Sequence, residues 1–172
     1  MTHKLFAPNL TPKDCIQAGI FGGTYFSDKA LISVKEFPAD WFEELEPYQY
    51  ESRIDHSRSV NCYGVHAGTS QAEWAAKGWM HPDDPRGWFQ WYCRYYLGRR
   101  HEDDARQMAR WVAFASVEQG RWTNIFYHKV QKAAVAVESI KVSPVIRQSL
   151  MHWAYAPNEA DYLKWLSNRP GV

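Results

Sequence analysis

GWMHPDDPRGWFQWYCRYYLGRR, residues 78–100, is the stretch that decides how the rest of the chain is read. It holds three Trp, three Tyr, one Phe and four Arg among two acids, two Pro and three Gly. Trp88, Trp91, Tyr92, Tyr95 and Tyr96 recur at the i, i+3, i+4, i+7, i+8 spacing of one helical face. Phe89, Cys93 and Leu97 add apolar surface elsewhere, so this helix is apolar nearly all round and is expected to be buried. Asp83-Asp84-Pro85 reads as its start, with an acid at the N-cap and Pro in the first turn. Gly98 reads as its stop.

The segments that follow are also helical by pattern. Glu102 or Asp103 opens a helix with Ala105, Met108, Ala109, Val112 and Ala115 inward, stopped by Gly120. Thr123 caps a further helix running through Val137, with Ile125, Val130 and Ala134 inward. Ser143-Pro144 starts another that ends near Ala156. Pro157-Asn158 with Asp161 starts a short last one, stopped by Asn168 and Pro170. Upstream, Ser70-Gln71-Ala72-Glu73 is a capping-box pattern with Gly78 as its C-terminal stop.

The first 60 residues carry weaker signals. IFGGTYF (20–26) suggests a strand or loop bent at Gly22-Gly23. ALISVKEF (30–37) alternates partly, as a strand would. FPADWFEEL (37–45) reads as a short helical turn, and residues 47–59 as loop. The expected fold class is mainly α. It is one compact domain over 1–172 of about five to six helices, with a helical core at 69–168. An irregular, aromatic-rich layer at 1–60 has room for a short β-hairpin. No repeat or low-complexity tract is visible.

Composition supports a globular chain: 172 residues, 45% hydrophobic and 23% charged, with 16% aromatic. The net charge of +1 gives no global basic field. Its distribution is uneven. Residues 1–85 carry seven Lys and Arg against twelve Asp and Glu, and residues 86–132 carry nine against four. Such a split points either to an anionic partner or to segments that face each other. Cys15, Cys62 and Cys93 form no CxxC pair, which argues against a zinc ribbon or redox motif. No apolar run approaches the roughly 20 residues of a membrane span. No secretory leader pattern is present. These features lead to an expectation of an intracellular protein with free thiols and no membrane partner.

Candidate functional residues cluster in and after the opening stretch. His81, Asp83, Asp84 and Arg94 are the candidates for catalytic or pocket chemistry, since adjacent carboxylates, an imidazole and a half-buried guanidinium can move protons or hold an anion. Helix capping is the simpler role for the two acids. Arg86, Arg99, Arg100, Arg106 and Arg110 are the candidates for phosphate contact. Arg86 sits at the unfavourable end of a helix for a cation, whereas Arg99 and Arg100 suit a helix C-terminus. Trp79, just after a helix stop, is the aromatic expected at the surface, where stacking on a base is possible. Gly22-Gly23-Thr24 lacks the Lys of a P-loop and is read as a tight turn. The seven His show no HExxH or HxH spacing, so no metal site is assigned. A Cys62/His66 catalytic pair lacks any local signature. No motif names a cofactor.

The central motif GWMHPDDPRGWFQWYCRYYLGRR, with DDARQMARW at 103–111, resembles a family of uncharacterised proteins of fungi, other microbes and viruses. FGGTYF at 21–26, FPADWF at 37–42 and IRQSLMHWAY at 146–155 also resemble motifs of that family. The resemblance spans roughly residues 20 to 156. It implies a compact intracellular domain and transfers no catalytic role. The functional expectation is a nucleic-acid-acting domain, binding DNA or RNA through an Arg face beside aromatics, with base modification as its more specific form. Two alternatives stand beside it: an enzyme or sensor for a small phosphorylated or carboxylated ligand, and a protein-interaction module without a ligand.

Overall fold

The structure is a computed structural model that describes residues 2–27, 32–52, 55–69 and 71–169. The fold is mainly helical. In chain order the helices are α1 (Thr2–Leu5), α2 (Pro12–Ala18), α3 (Gln71–Ala76), α4 (Trp88–Tyr96), α5 (Asp104–Ala115), α6 (Arg121–Ala133), α7 (Pro144–His152) and α8 (Glu159–Ser167). The last five are each nine residues or longer and form the expected helical part. Between α2 and α3 the chain makes short 3-10 turns rather than strands. Among the described residues, β-pairing is limited to an isolated bridge between His81 and Asp84, so the hairpin does not form there. Within 30–37, residues 30 and 31 lie outside the described residues, and Val34–Glu36 is a 3-10 turn capped by the Ser33 side chain.

The core is built from aromatic rings. Trp91, Trp111, Trp165, Tyr25, Tyr127, Tyr155 and Phe126 are all fully buried. α5 packs on α1, α4 and α6, α6 packs on α7, and α2 packs on α4. Trp88, Trp91 and Tyr92 are buried, with Trp88 stacked on Tyr92 at 5.0 Å. The expected burial of the whole helix does not hold: the buried run is 88–93, and Tyr96 and Leu97 at its end are 51% and 48% exposed because α4 leaves the core there. Phe6 joins α1 to this face through edge contacts with Trp91, Tyr95 and Trp111.

Several boundaries differ from the sequence reading. α4 begins at Trp88, not at Pro85. Gly87 is its N-cap, with φ +80, a conformation that suits glycine. Ala105 and Ala109 face outward, and the buried stripe of α5 is Gln107, Met108, Trp111, Val112 and Ala115. Polar Gln107 can be buried because its Nε2 donates to Asp103 at 2.8 Å and its Oε1 accepts from Arg110 at 3.0 Å. α5 ends at Ala115, and Gly120 is instead the N-cap of α6. Thr123 lies inside α6, where its hydroxyl donates to the Ala115 carbonyl at 2.7 Å. α6 ends at Ala133, so Ala134 is exposed in a left-handed cap. The Ser70 half of the expected capping box lies outside the described residues. A capping box that does form, Thr11 with Asp14, starts α2 and is written in the sequence as TPKD.

Gly22 and Gly23 make the tight turn expected of them. A side chain at Gly22 would run into the His56 ring, and one at Gly23 into the Tyr48 carbonyl. The Gly22 amide donates to Asn61 Oδ1 at 2.6 Å. All three thiols are free. Cys15 and Cys93 are buried and Cys62 is exposed. Burial pushes the Cys93 thiol well above its ordinary value. Labelling of the native protein with a thiol reagent is therefore expected to count one fast thiol, rising to three on unfolding. Fast reaction of two or three thiols in the native state would contradict this packing.

Candidate functional site

The acids and arginines of the opening stretch form a network. Asp84 has no solvent exposure. Its Oδ1 accepts from Arg94 Nη1 at 2.9 Å and its Oδ2 from Arg99 Nη2 at 2.5 Å. Arg94 also bonds Glu36 through two nitrogens and reaches the Asp83 carbonyl. Thus Asp84 is not the cap of α4. A carboxylate between two guanidiniums gains more than one amide contact would give it. Arg106 makes a two-nitrogen pair with Asp103, at 2.5 and 2.7 Å. Burial alone would raise the Asp103 carboxyl, but bonds from Arg106 and Gln107 outweigh it and hold it below its usual value. Arg100 is exposed, lies over the Tyr95 ring at 4.1 Å and donates to the Tyr95 and Arg99 carbonyls.

His81, Asp83 and His101 converge so that one ligand-type atom from each lies within 4.8 Å of the others. His101 Nε2 is 2.9 Å from Asp83 Oδ2. Both imidazoles accept a backbone amide at Nδ1, His81 from Asp83 and His101 from Asp103, each at 3.2 Å. These are the residues that could hold a cation, although their hydrogen bonds already assign both Nδ1 lone pairs. His101 went unnoticed in the sequence because it stands 18 residues from Asp83 and matches no ligand spacing.

A cavity of about 370 Å³ opens beside this network. Its walls are largely aromatic: Phe21, Trp74, Trp79, Trp88, Phe114 and Trp153. Trp153 stacks on Phe114 at 4.6 Å and lies 4.9 Å from Trp88. Gly87, the α4 cap, also lines it, and a side chain there would stand 3.7 Å from the Trp74 ring. Two expected site residues reach this cavity as cations, Arg86 and Arg110. Arg86 lies over the Tyr25 ring at 4.7 Å. Arg110 sits between Trp79 and Trp153, 5.6 and 5.4 Å from their ring centres. Its Nη1 donates to the Trp79 carbonyl at 2.8 Å. Burial, then the nearby Arg106 charge, lower the Arg110 pKa to about 10, so it remains cationic at neutral pH.

Trp79 is 38% exposed, as a surface-facing aromatic should be, and it belongs to the cavity rim. His81, Asp83, Asp84, Arg94, Arg99, Arg100 and Arg106 do not line the cavity. His152 does, and the sequence reading had given it no role. Burial, with His56 and His66 adding, lowers its pKa to about 3, so the ring is neutral at ordinary pH. Among the described residues no helix is long and apolar enough to cross a membrane. Comparisons with protein-family models, curated proteins and solved structures give no match to this chain.

Proposed function

We propose that this chain binds nucleic acid by taking one unstacked base into the aromatic cavity. The observation that carries this reading is a cavity of about 370 Å³ walled by indole and phenyl rings, with Arg86 and Arg110 set into the wall. That volume lies in the usual range for small-ligand pockets. Aromatic faces hold a base by stacking, worth ~1–3 kcal/mol per base. The flanking guanidiniums supply charge and hydrogen bonds at the rim.

The ion pairs limit how much of the affinity can come from phosphates. Of the candidate phosphate contacts, Arg99 and Arg106 are paired with carboxylates, which leaves Arg100 as the exposed one whose recorded hydrogen bonds go only to backbone carbonyls. The expected salt dependence is therefore shallow, with a log–log slope near about −1 for single strands. Binding is measured by Trp fluorescence on titration with single-stranded oligonucleotides, with and without an abasic site. An oligonucleotide whose bases are all removed is expected to bind at least about tenfold more weakly, matching the loss of one stacked base. Equal affinity for the abasic strand, or no binding by either, would end this reading.

A second reading has a specific observation behind it. With so few guanidiniums free for a backbone, a free planar anion fits the same cavity. Thermal shift with mononucleotides and aromatic carboxylates tests it. A rise in melting temperature with these compounds, and none with oligonucleotides, would replace the first reading by the second.

A further inference from the structure

The polar side chains around the cavity are unbalanced. Its lining contains no Asp, Glu, Asn or Gln. It does contain Arg86 and Arg110, which can only donate, and five Trp, whose indole N–H also only donates, those of Trp74 and Trp88 being given to Thr69 and to the Gln107 carbonyl. The Thr69 and Ser149 hydroxyls can do either.

His152 adds a donor whose direction can be worked out. Gln148 Oε1 accepts from the Tyr63 amide at 3.1 Å, and Gln148 Nε2 lies 3.3 Å from the Gly19 carbonyl. This fixes Nε2 as the donating end of the Gln148 amide. The same Nε2 lies 3.3 Å from His152 Nε2, which must accept. A neutral ring that accepts at Nε2 carries its proton at Nδ1. Nδ1–H makes no hydrogen bond among the described residues, and Phe21 stacks on the ring at 4.3 Å to hold its plane. Gln148 is thus a positioning residue, and His152 is the donor it sets.

We infer that the cavity selects rings that present carbonyl-type acceptors, namely guanine and uracil or thymine, over rings that present an exocyclic amine at the same place, namely adenine and cytosine. This rests on the base-binding reading above. The guanidinium fork of Arg110 suits adjacent acceptors such as guanine O6 and N7, and the His152 Nδ1–H suits a carbonyl oxygen. An amino group brought to either donor leaves two N–H groups facing each other, unpaired and out of water.

The test uses the full chain and Trp fluorescence, first with guanosine, adenosine, uridine and cytidine, then with dT and dC 12-mers. Uridine over cytidine and guanosine over adenosine, each by about tenfold or more, is the expected result. The dT strand should exceed the dC strand by a similar ratio. Equal affinities, or a preference for the amino bases, would overturn the selection while leaving base binding intact. No binding of any nucleoside or strand would overturn the base-binding reading, and the selection with it. Nucleosides that bind as tightly as strands, with the keto preference kept, would assign the site to a free small molecule. His152→Gln keeps an acceptor for Gln148 and removes the Nδ1–H donor, so the keto-to-amino ratio should fall toward one. His152→Asn restores an N–H near that position and should recover the ratio. An unchanged ratio in a folded His152→Gln protein would remove His152 from this role. If that variant does not fold, the ratios of the unaltered protein still decide the selection.

Discussion

Asp84→Ala should lower the unfolding free energy by about 3–5 kcal/mol, which for a chain of this size corresponds to a melting shift of roughly 6–20 °C. The reason is the placement of one carboxylate with no solvent exposure between Arg94 and Arg99. Its removal leaves two guanidiniums facing each other across a cavity. Arg94 would keep Glu36, whereas Arg99 would lose its ion pair. Asp84→Asn is the more discriminating variant. It keeps the shape and one acceptor while removing the charge, so it should fall between Asp84→Ala and the unaltered protein. Denaturant unfolding measures both. A midpoint unchanged in Asp84→Ala would mean that the arginines are not held by Asp84. Arg99 would then return as a phosphate contact and Arg94 as a pocket residue.

Trp91→Ala is expected to cost a similar ~3–5 kcal/mol, for a different reason. Trp91 is fully buried, and its ring stacks on Tyr95 at 5.0 Å and meets Phe6 edge-on at 5.8 Å. Truncation removes that packing and leaves a void that the aromatic neighbours cannot fill by small shifts. It also strands Asp104 Oδ1, which accepts the Trp91 indole N–H at 2.8 Å in the first turn of α5. Trp91 does not line the cavity. The folded fraction of Trp91→Ala should therefore retain base binding while its denaturation midpoint falls. The opposite pattern, with normal stability and lost binding, would show that Trp91 belongs to the site.

The contrast between the two variants separates roles that look alike in the sequence. Arg86, Arg94, Arg99, Arg106 and Arg110 all lie in one basic segment. Three of them are paired with acids, and two reach the aromatic cavity. No spacing rule distinguishes them, because Glu36 and Asp84 reach Arg94 across 58 and 10 residues. The helical run of α4 was legible because an unbroken i, i+3, i+4 series of aromatics has one helical reading. Its burial was not, since residues 88–93 are buried together and Tyr96 is 51% exposed. The inner stripe of α5 was misread at Ala105 and Ala109, since a polar residue such as Gln107 is normally assigned to the outside. Its burial depends on Asp103 and Arg110, partners that the hydrophobic pattern cannot show.

The sequence by itself determined the helical class, the helical run of α4, the start of α8 at Asn158, whose side chain accepts from the Asp161 amide, and the tight turn at Gly22-Gly23. Those features are set by short-range periodicity, capping chemistry and backbone sterics, which act over a few residues. Only the tertiary structure decided the functional geometry. The cavity takes its rings from as far apart as Phe21, Trp74, Phe114 and Trp153, and the direction of the His152 proton depends on contacts from Gly19 and Tyr63 to Gln148. These are long-range coincidences of position. Charge and hydrogen-bond partners are chosen by distance in space, and that distance is fixed only when the helices have packed.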